Sequence, residues 1–319
     1  MINGILNIYK EKGYTSHDVV ARLRGIMGQK KIGHTGTLDP DAEGVLPVCL
    51  GRATKICDLL TDKDKTYETV LLMGKTTDTQ DISGTVLKEY AGDIAAETEE
   101  TKVVSYIREF IGEYDQVPPM YSALKVNGKR LYELAREGKT VERKSRKVTI
   151  HDIRIREVSL PRIRMEVDCS KGTYIRTLCH DIGEKLGTGG CMESLLRTRV
   201  GRFRCKDSLK LDEVEAYVKQ GRLSEILIPT DEVFFDLYAG VVEEKYAPLA
   251  YNGNPLSRTC ITDYAGGKLC ETESTGEKQE LKDGEQIRVY DGRGRFIGIY
   301  KYEKRRGQLW LEKMFFDRD

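Results

Sequence analysis

GHTGTLDPDAEGVLPVCLGRATK, residues 33–55, gathers four glycines and two prolines between two helix-like segments. A mix of Gly and Pro this dense sets a chain path rather than a periodic face, and the residue before a proline is driven towards extended backbone. Asp39, followed by Pro40, is that residue. On composition the stretch reads as a turn. It also holds a carboxylate on a stiff loop, and the rest of the chain is read around it.

On the N-terminal side, residues 4–9 alternate as a strand. TSHDVVARLRGIMG then reads as a helix capped by Thr15 or Ser16, with Val19, Val20, Leu23, Ile26 and Met27 on one face. After the stretch come a helix near 53–61, a strand at 66–74 and a polar loop, TTDTQDISG, bearing Asp78 and Asp81. Strands are predicted at 147–158 and 162–169, the second alternating Ile163, Met165, Val167 and Cys169. A helix follows with Ile175, Leu178, Cys179, Ile182 and Leu186 inward and Tyr174 and Arg176 at its start. TRVGRFRC (198–205) reads as a further strand and LDEVEAYVKQ (211–220) as a helix, before a boundary near 230–240. Beyond it, EQIRVYDG, RFIGIYKYEK and GQLWLEKMF are short β-type runs split by Gly and Asp turns, a small β-rich module.

At 319 residues the chain is long enough for two domains. Its 52 Lys and Arg against 51 Asp and Glu leave a net charge of +1, so a nucleic-acid role has to rest on local charge. Such local charge is present. Residues 89–115 carry a net −6 and residues 122–148 a net +6. The basic block reads either as a solvated face or as an arm laid along a phosphate backbone. No two of the eight cysteines form a C-x-x-C, which argues against structural zinc, and no apolar run approaches the length of a membrane span. With no signal-peptide core at the N-terminus, the expectation is a cytoplasmic protein with reduced thiols.

Phosphate-loop, zinc-helix and nucleophile-elbow motifs are missing, and the glycines of GRGRFIG at 292–298 have the wrong spacing for a dinucleotide fingerprint. His17, His151 and His180 read as incidental. What remains is a loop carboxylate served by tyrosine, arginine and histidine from elsewhere in the chain. A neighbouring guanidinium would keep such a carboxylate ionised and aimed, as nucleophile or base. An aromatic ring could stack on an extruded base. Residue chemistry alone admits a glycosidase as readily as a base-modifying enzyme.

The 33–55 stretch resembles the catalytic motif of the bacterial tRNA pseudouridine-55 synthases, the TruB family. The other blocks of that family follow in its order and spacing over residues 3–235. They are KEKGYTSHDVV before the stretch, then DKTYETVLLMGKTTDTQDISG, PPMYSALKVNGKRLYELAREG, SKGTYIRTLCHDIGEKLG and SLLRTRVG after it. The resemblance implies an α/β (α+β) catalytic domain on a mixed, largely antiparallel sheet at 1–235. It places a thumb-like basic insertion at about 122–148 and a PUA-like RNA-binding β-barrel at 236–319. It implies isomerisation of uridine 55 in the tRNA T-loop, with no cofactor and no metal, by a monomer acting on the T-arm without an obligate protein partner. A role as a tRNA folding chaperone is compatible with the same features.

By the same resemblance, Asp39 is the catalytic aspartate, nucleophile or base. Tyr67 stacks on the target base, Arg176 pairs with the aspartate, and Tyr174 and Leu195 line the pocket. His34 takes part in base flipping, and Asp81 contacts neighbouring nucleotides. The chain departs from the family pattern at Tyr9 and Glu11, at Gly190-Cys191, at Leu196, which leaves Arg197 alone of an arginine pair, and at Thr66. Two rivals follow: a catalytic subunit guided by a partner RNA, and an RNA chaperone with catalysis secondary. A glycosidase lacks an evident second carboxylate.

Overall fold

An apolar run ending in a lysine, GILNIYK, forms β1 (Gly4–Lys10). The helix α1 (Ser16–Met27) follows, closed at its N-terminus by a reciprocal cap: Asp18 N–H donates to the Thr15 hydroxyl at 3.1 Å, and Thr15 N–H to the Asp18 carboxylate at 2.8 Å. Gly28 ends it in the left-handed region. The computed structural model describes residues 1–126, 128–263 and 280–316.

The 33–55 stretch is only partly a loop. β2 (Ile32–His34) leads into it, residues 35–42 turn, and β3 (Glu43–Leu50) is a buried strand. This strand was not expected. VLPVCL is buried on both faces, so it shows none of the alternation that marks a half-exposed strand, and Pro47 argues locally against one. The helix expected near 53–61 is a 3₁₀ segment, Gly51–Ile56, running into a short α2 (Cys57–Thr61).

The strands β4 (Lys65–Met73), β5 (Lys75–Thr77) and β6 (Val86–Glu89) come next, then α3 (Ile94–Glu97), α4 (Glu100–Arg108) and β7 (Gly112–Gln116). The basic block holds a two-residue hairpin, β8 (Lys125–Val126) and β9 (Lys129–Arg130), and α5 (Leu131–Arg136). β10 (Arg146–Ser159), β11 (Arg162–Cys169), α6 (Ile175–Leu186), β12 (Gly190–Val200), β13 (Phe203–Arg204) and α7 (Leu211–Lys219) complete this part. The strand expected at 198–205 begins eight residues earlier and folds back on itself at Gly201, pairing Val200 with Phe203.

Nine strands make one sheet in the order β1-β3-β12-β4-β11-β10-β7, with β2 on β3 and β13 on β12. β4, β7, β10, β11 and β12 pair antiparallel, while β12 runs parallel to β3 at Leu196↔Glu43 and Arg197↔Gly44. The sheet is therefore mixed and largely antiparallel, as the family resemblance implies. Ile163, Met165, Val167 and Cys169 are fully buried, and α6 covers them with Ile175, Leu178, Cys179 and Ile182. Each such side chain contributes roughly 1.5–3 kcal/mol by leaving water. The opposite face of β11 carries Arg162, Arg164, Glu166 and Asp168, and is laced by cross-strand ion pairs such as Arg154–Glu166 at 2.6 Å.

By contacts the chain forms two compact units: Leu6–Val48 with Ile56–Leu223, and Met1–Ile5 with Cys49–Lys55 and Ser224–Asp319. The second contains β14 (Tyr238–Val242), α8 (Ala247–Tyr251), β15 (Leu256–Ser257), β16 (Ile261–Asp263), β17 (Gln286–Tyr290), β18 (Phe296–Glu303) and β19 (Gln308–Met314). They form a six-stranded sheet, β15-β19-β18-β17-β14-β16, around its own apolar cluster of Val242, Ile287, Val289, Ile297, Tyr300 and Leu309.

Candidate active site

The turn at 35–42 is held at almost every residue. Thr35 N–H donates to the Pro47 carbonyl at 3.1 Å. Ser16, the first residue of α1, receives the Leu38 N–H on its hydroxyl at 2.9 Å and donates back to the Leu38 carbonyl at 3.3 Å. The Pro40 carbonyl accepts from Gly13 N–H at 2.9 Å and from the Lys10 ammonium at 3.1 Å. Between these two clamps stands Asp39, whose own carbonyl accepts from Ala42 N–H at 3.1 Å.

Two buried cations support this turn. Lys10 is fully buried at the end of β1, where its ammonium also donates to the carbonyls of Tyr14 at 2.6 Å and Glu11 at 3.2 Å. Burial pushes its pKa down to about 8, against the pull of Asp39, Glu43 and Asp41. Arg197, on β12, is 1% exposed. Its Nε donates to the Val45 carbonyl at 2.7 Å, and the rest of its fork faces the Thr37 and Gly36 carbonyls at 3.5 and 3.3 Å. Gly44 lies against the Arg197 backbone at a φ of +105°, and a Cβ there would come within 2.3 Å of the Arg197 carbonyl oxygen. Only glycine fits that close approach.

Arg176 enters from the first turn of α6, with its side chain 7% exposed. Its Nε lies 3.1 Å from Asp39 Oδ2 and its Nη2 3.4 Å from Oδ1, a two-point contact along the carboxylate. Nη1 reaches Asp81 Oδ2 at 3.5 Å and the Thr79 carbonyl at 3.2 Å, while Nη2 also donates to the Tyr121 carbonyl at 2.8 Å. One guanidinium thus joins Asp39, the Asp81 loop and the segment before the basic block. The Asp39 side chain stays 40% exposed beside the nearly buried guanidinium. Burial raises its pKa above the ordinary aspartate value, Arg176 draws it back, and Asp81 pushes it up again; the net direction is up.

Asp81 is fixed by its own loop. Its Oδ1 accepts from the Thr79 hydroxyl at 2.8 Å and the Ser83 N–H at 3.0 Å, and Ile82 N–H donates to the Met192 carbonyl at 3.0 Å. Tyr67 is buried on β4 in register with Arg197, and burial raises its phenol pKa. Leu195 packs at the edge of the same apolar cluster, which also contains Tyr67 and Leu38. Tyr174 is the residue before α6 and borders Asp39 and Arg176 electrostatically. His34 ends β2, half-buried, with its ring edge-on to that of His17 at 5.4 Å; burial and His17 lower its pKa.

Of the residues singled out from sequence, Arg176 therefore contacts both Asp39 and Asp81, Tyr67 and Tyr174 lie near enough to Asp39 to couple with it, and Leu195 packs against the apolar cluster that holds Tyr67. His34 instead contacts His17, which had read as incidental. Lys10, Ser16 and Arg197 were given no role. The signal for Lys10 and Arg197 was a cation where a buried strand called for an apolar residue. Two of the departures from the family pattern are buried sheet residues. Cys191 is fully buried, and the Thr66 hydroxyl accepts from Arg199 Nε at 2.8 Å. Among the described residues no group of His, Cys, Asp and Glu is arranged to hold a metal, and no helix is long and apolar enough to cross a membrane.

Known proteins resemble the chain over most of its length. Residues 24–175 match the N-terminal domain model of the TruB family pseudouridylate synthases, and residues 176–234 match the tRNA pseudouridylate synthase B C-terminal domain. The chain is 50% identical to the tRNA pseudouridine synthase B of Lachnoclostridium phytofermentans, over 98% of this chain and 100% of that one. It is 41% identical to the protein of the same name from Clostridium perfringens strain SM101, over 99% and 100%. Among solved structures, a crystal structure of a Cbf5-Nop10-Gar1 complex aligns with a TM-score of 0.70 at 25% identity, covering 98% of this chain and 85% of that one.

Proposed function

This chain belongs to the TruB family of pseudouridylate synthases, isomerases that act on tRNA, and from that premise we propose that it converts uridine 55 of the tRNA T-loop to pseudouridine with Asp39 as the catalytic carboxylate. The observation that carries this reading is the two-point Arg176–Asp39 contact on a carboxylate still 40% exposed. The guanidinium orients Asp39 and favours its ionised form, while the exposed part of the side chain leaves room for a flipped nucleotide.

The reaction is an isomerisation. The N1–C1′ bond of the uridine breaks, the base turns, and a C5–C1′ bond forms. N1 gains a proton and C5 loses one, so nothing is oxidised or reduced. Asp39, as nucleophile or base, starts the sequence. Tyr67, a neutral phenol whose pKa burial raises further, stacks on the base, and Tyr174 and Leu195 bound the pocket. Asp81 meets the adjoining nucleotides. His34, whose pKa burial lowers, supports the flipped conformation as a neutral ring. The basic block at about 122–148 closes on the T-arm, the β-rich part after residue 235 serves as a PUA-like module, and the protein works in the cytoplasm as a monomer.

The test is incubation with an unmodified tRNA transcript, followed by pseudouridine mapping through carbodiimide primer extension. A single stop at uridine 55, without added protein or guide RNA, is the expected result. Asp39→Asn should abolish it while leaving tRNA binding in place. Folded protein that leaves uridine 55 unmodified would falsify the assignment.

A further inference from the structure

The Arg176 side chain donates to a carbonyl on the segment that leads into the basic block, and this same segment holds the start of α6 a second time. Gln116, the last residue of β7, is 1% exposed. Its amide makes a two-point contact with the backbone of Tyr174: Nε2 donates to the Tyr174 carbonyl at 3.0 Å, and Oε1 accepts from the Tyr174 N–H at 2.8 Å. Tyr174 is the cap position of α6 and has no side-chain cap of its own. A primary amide offers one donor and one acceptor side by side, so it copies the pairing a neighbouring strand would give. Two residues beyond this clamp lies Arg176.

Five residues after Gln116, the Tyr121 carbonyl accepts from Arg176 Nη2 at 2.8 Å, the same nitrogen that lies 3.4 Å from Asp39 Oδ1. The next residue, Ser122, accepts through its carbonyl from Tyr132 N–H of α5 at 3.1 Å, and Leu124 accepts from Leu131 N–H at 2.8 Å. A continuous set of hydrogen bonds thus runs from α5 in the basic block, through residues 121 and 122, to Arg176 and Asp39. Gln116 anchors its near end to the sheet, where it pairs with Arg146 at the other end of the block.

We propose that Gln116 is a positioning residue for the isomerisation, setting the place of Arg176, and through it of Asp39, by clamping the backbone of Tyr174 at the root of the basic block. The inference rests on the reading of Asp39 and Arg176 given above. Gln116, 1% exposed with its amide on the Tyr174 backbone, acts through Arg176 rather than on the substrate. Its loss is felt in the chemical step, because a displacement of about 1 Å at a reacting group can cost on the order of 100-fold in rate. RNA affinity, carried by Lys and Arg on the block, should stay nearly unchanged.

The test compares wild type, Gln116→Ala and Gln116→Glu on the unmodified transcript, under single-turnover conditions at saturating enzyme, with RNA affinity measured separately and thermal unfolding as a control for folding. Gln116→Ala is expected to lower the single-turnover rate roughly 10- to 100-fold with RNA affinity within about twofold. Gln116→Glu has a sharper signature. A protonated glutamic acid retains one donor and one acceptor in the same shape, whereas the carboxylate loses the donor and opposes the Tyr174 carbonyl. Its rate relative to wild type should rise as pH falls, while the Ala variant's ratio stays flat. Wild-type rate in the Ala variant, a loss confined to affinity, or a Glu ratio that does not move with pH would each overturn the proposal. Inactive wild type would overturn the functional reading instead, so the two failures are distinct.

Discussion

Arg197 Nε donates to the carbonyl of Val45 at 2.7 Å, and through that bond a cation buried in the sheet grips the far end of the turn that carries Asp39. The same guanidinium faces the Thr37 and Gly36 carbonyls on the near side, so one side chain spans both ends of the turn. A buried charge is costly unless its donors are matched, and here the carbonyls of Val45, Thr37 and Gly36 and the Tyr67 hydroxyl serve the guanidinium. The turn's shape is thereby coupled to the register of β12 against β4.

Arg197→Lys should therefore be far from conservative. An ammonium cannot reach three carbonyls arranged for a planar fork, and at least one acceptor is left buried and unmatched. The expected loss is roughly 2–4 kcal/mol of unfolding free energy, read by urea denaturation, with activity falling further than the folded fraction alone explains. A lysine variant with wild-type stability and rate would show that the turn holds its shape without this contact.

Lys10 gives a prediction with a pH signature. Its folded pKa is lowered to about 8 from an ordinary 10.5, so between those values the unfolded chain binds more protons and this group makes stability rise with pH. Below about 8 both states are charged and the contribution is constant. Lys10→Met removes three donations, to Glu11, Tyr14 and Pro40, and should cost about 2 kcal/mol at neutral pH. The gap between wild type and variant should then widen from pH 8 towards pH 10, measured by denaturant unfolding at each pH. A constant gap would rule out the linkage.

Much of this site was legible from the chain, and the reasons for what was missed are physical. The Asp-Pro step drew attention to a carboxylate on a turn, which the structure holds by hydrogen bonds on both sides, and the alternation of Ile163, Met165, Val167 and Cys169 marked a strand with one buried face. β3 was missed because VLPVCL is buried on both faces and shows no period. Lys10, Ser16, Arg197 and Gln116 were missed because each acts on backbone atoms of a segment distant in sequence. A side chain that recognises carbonyls and N–H groups leaves no complementary residue type to search for. The pairing of Arg176 with Asp39, 137 positions apart, came from the family resemblance, since no local pattern carries it.

Asp39→Asn should raise stability as it removes activity. The folded pKa of Asp39 is raised, so its ionised form is disfavoured in the folded chain, and this penalty is present at neutral pH. It disappears as pH falls below the unfolded value, where both states are protonated. Arg176 keeps Asp81, the Thr79 carbonyl and the Tyr121 carbonyl in the variant. Thermal unfolding should show a higher Tm for the Asn variant at pH 7 and a shrinking difference towards pH 4. A lower Tm at pH 7 would mean that the Arg176 contact outweighs the burial of Asp39.

Arg176 opposes the burial of Asp39, so removing it should move the acid limb of the pH–rate profile. If the reaction needs ionised Asp39, the rate falls as pH drops through its raised pKa, and the wild-type limb lies above that of an ordinary aspartate. Arg176→Gln takes away the positive charge 3.1 Å from Oδ2, leaving burial and Asp81 to raise the value further. The limb should shift to higher pH, with roughly a 100-fold loss of kcat/KM at pH 7 from misplaced Asp39. Arg176→Lys keeps the charge but loses the two-point contact, so it should restore the limb more fully than the rate. Coincident limbs in wild type and Arg176→Gln would mean that the titrating group is not Asp39.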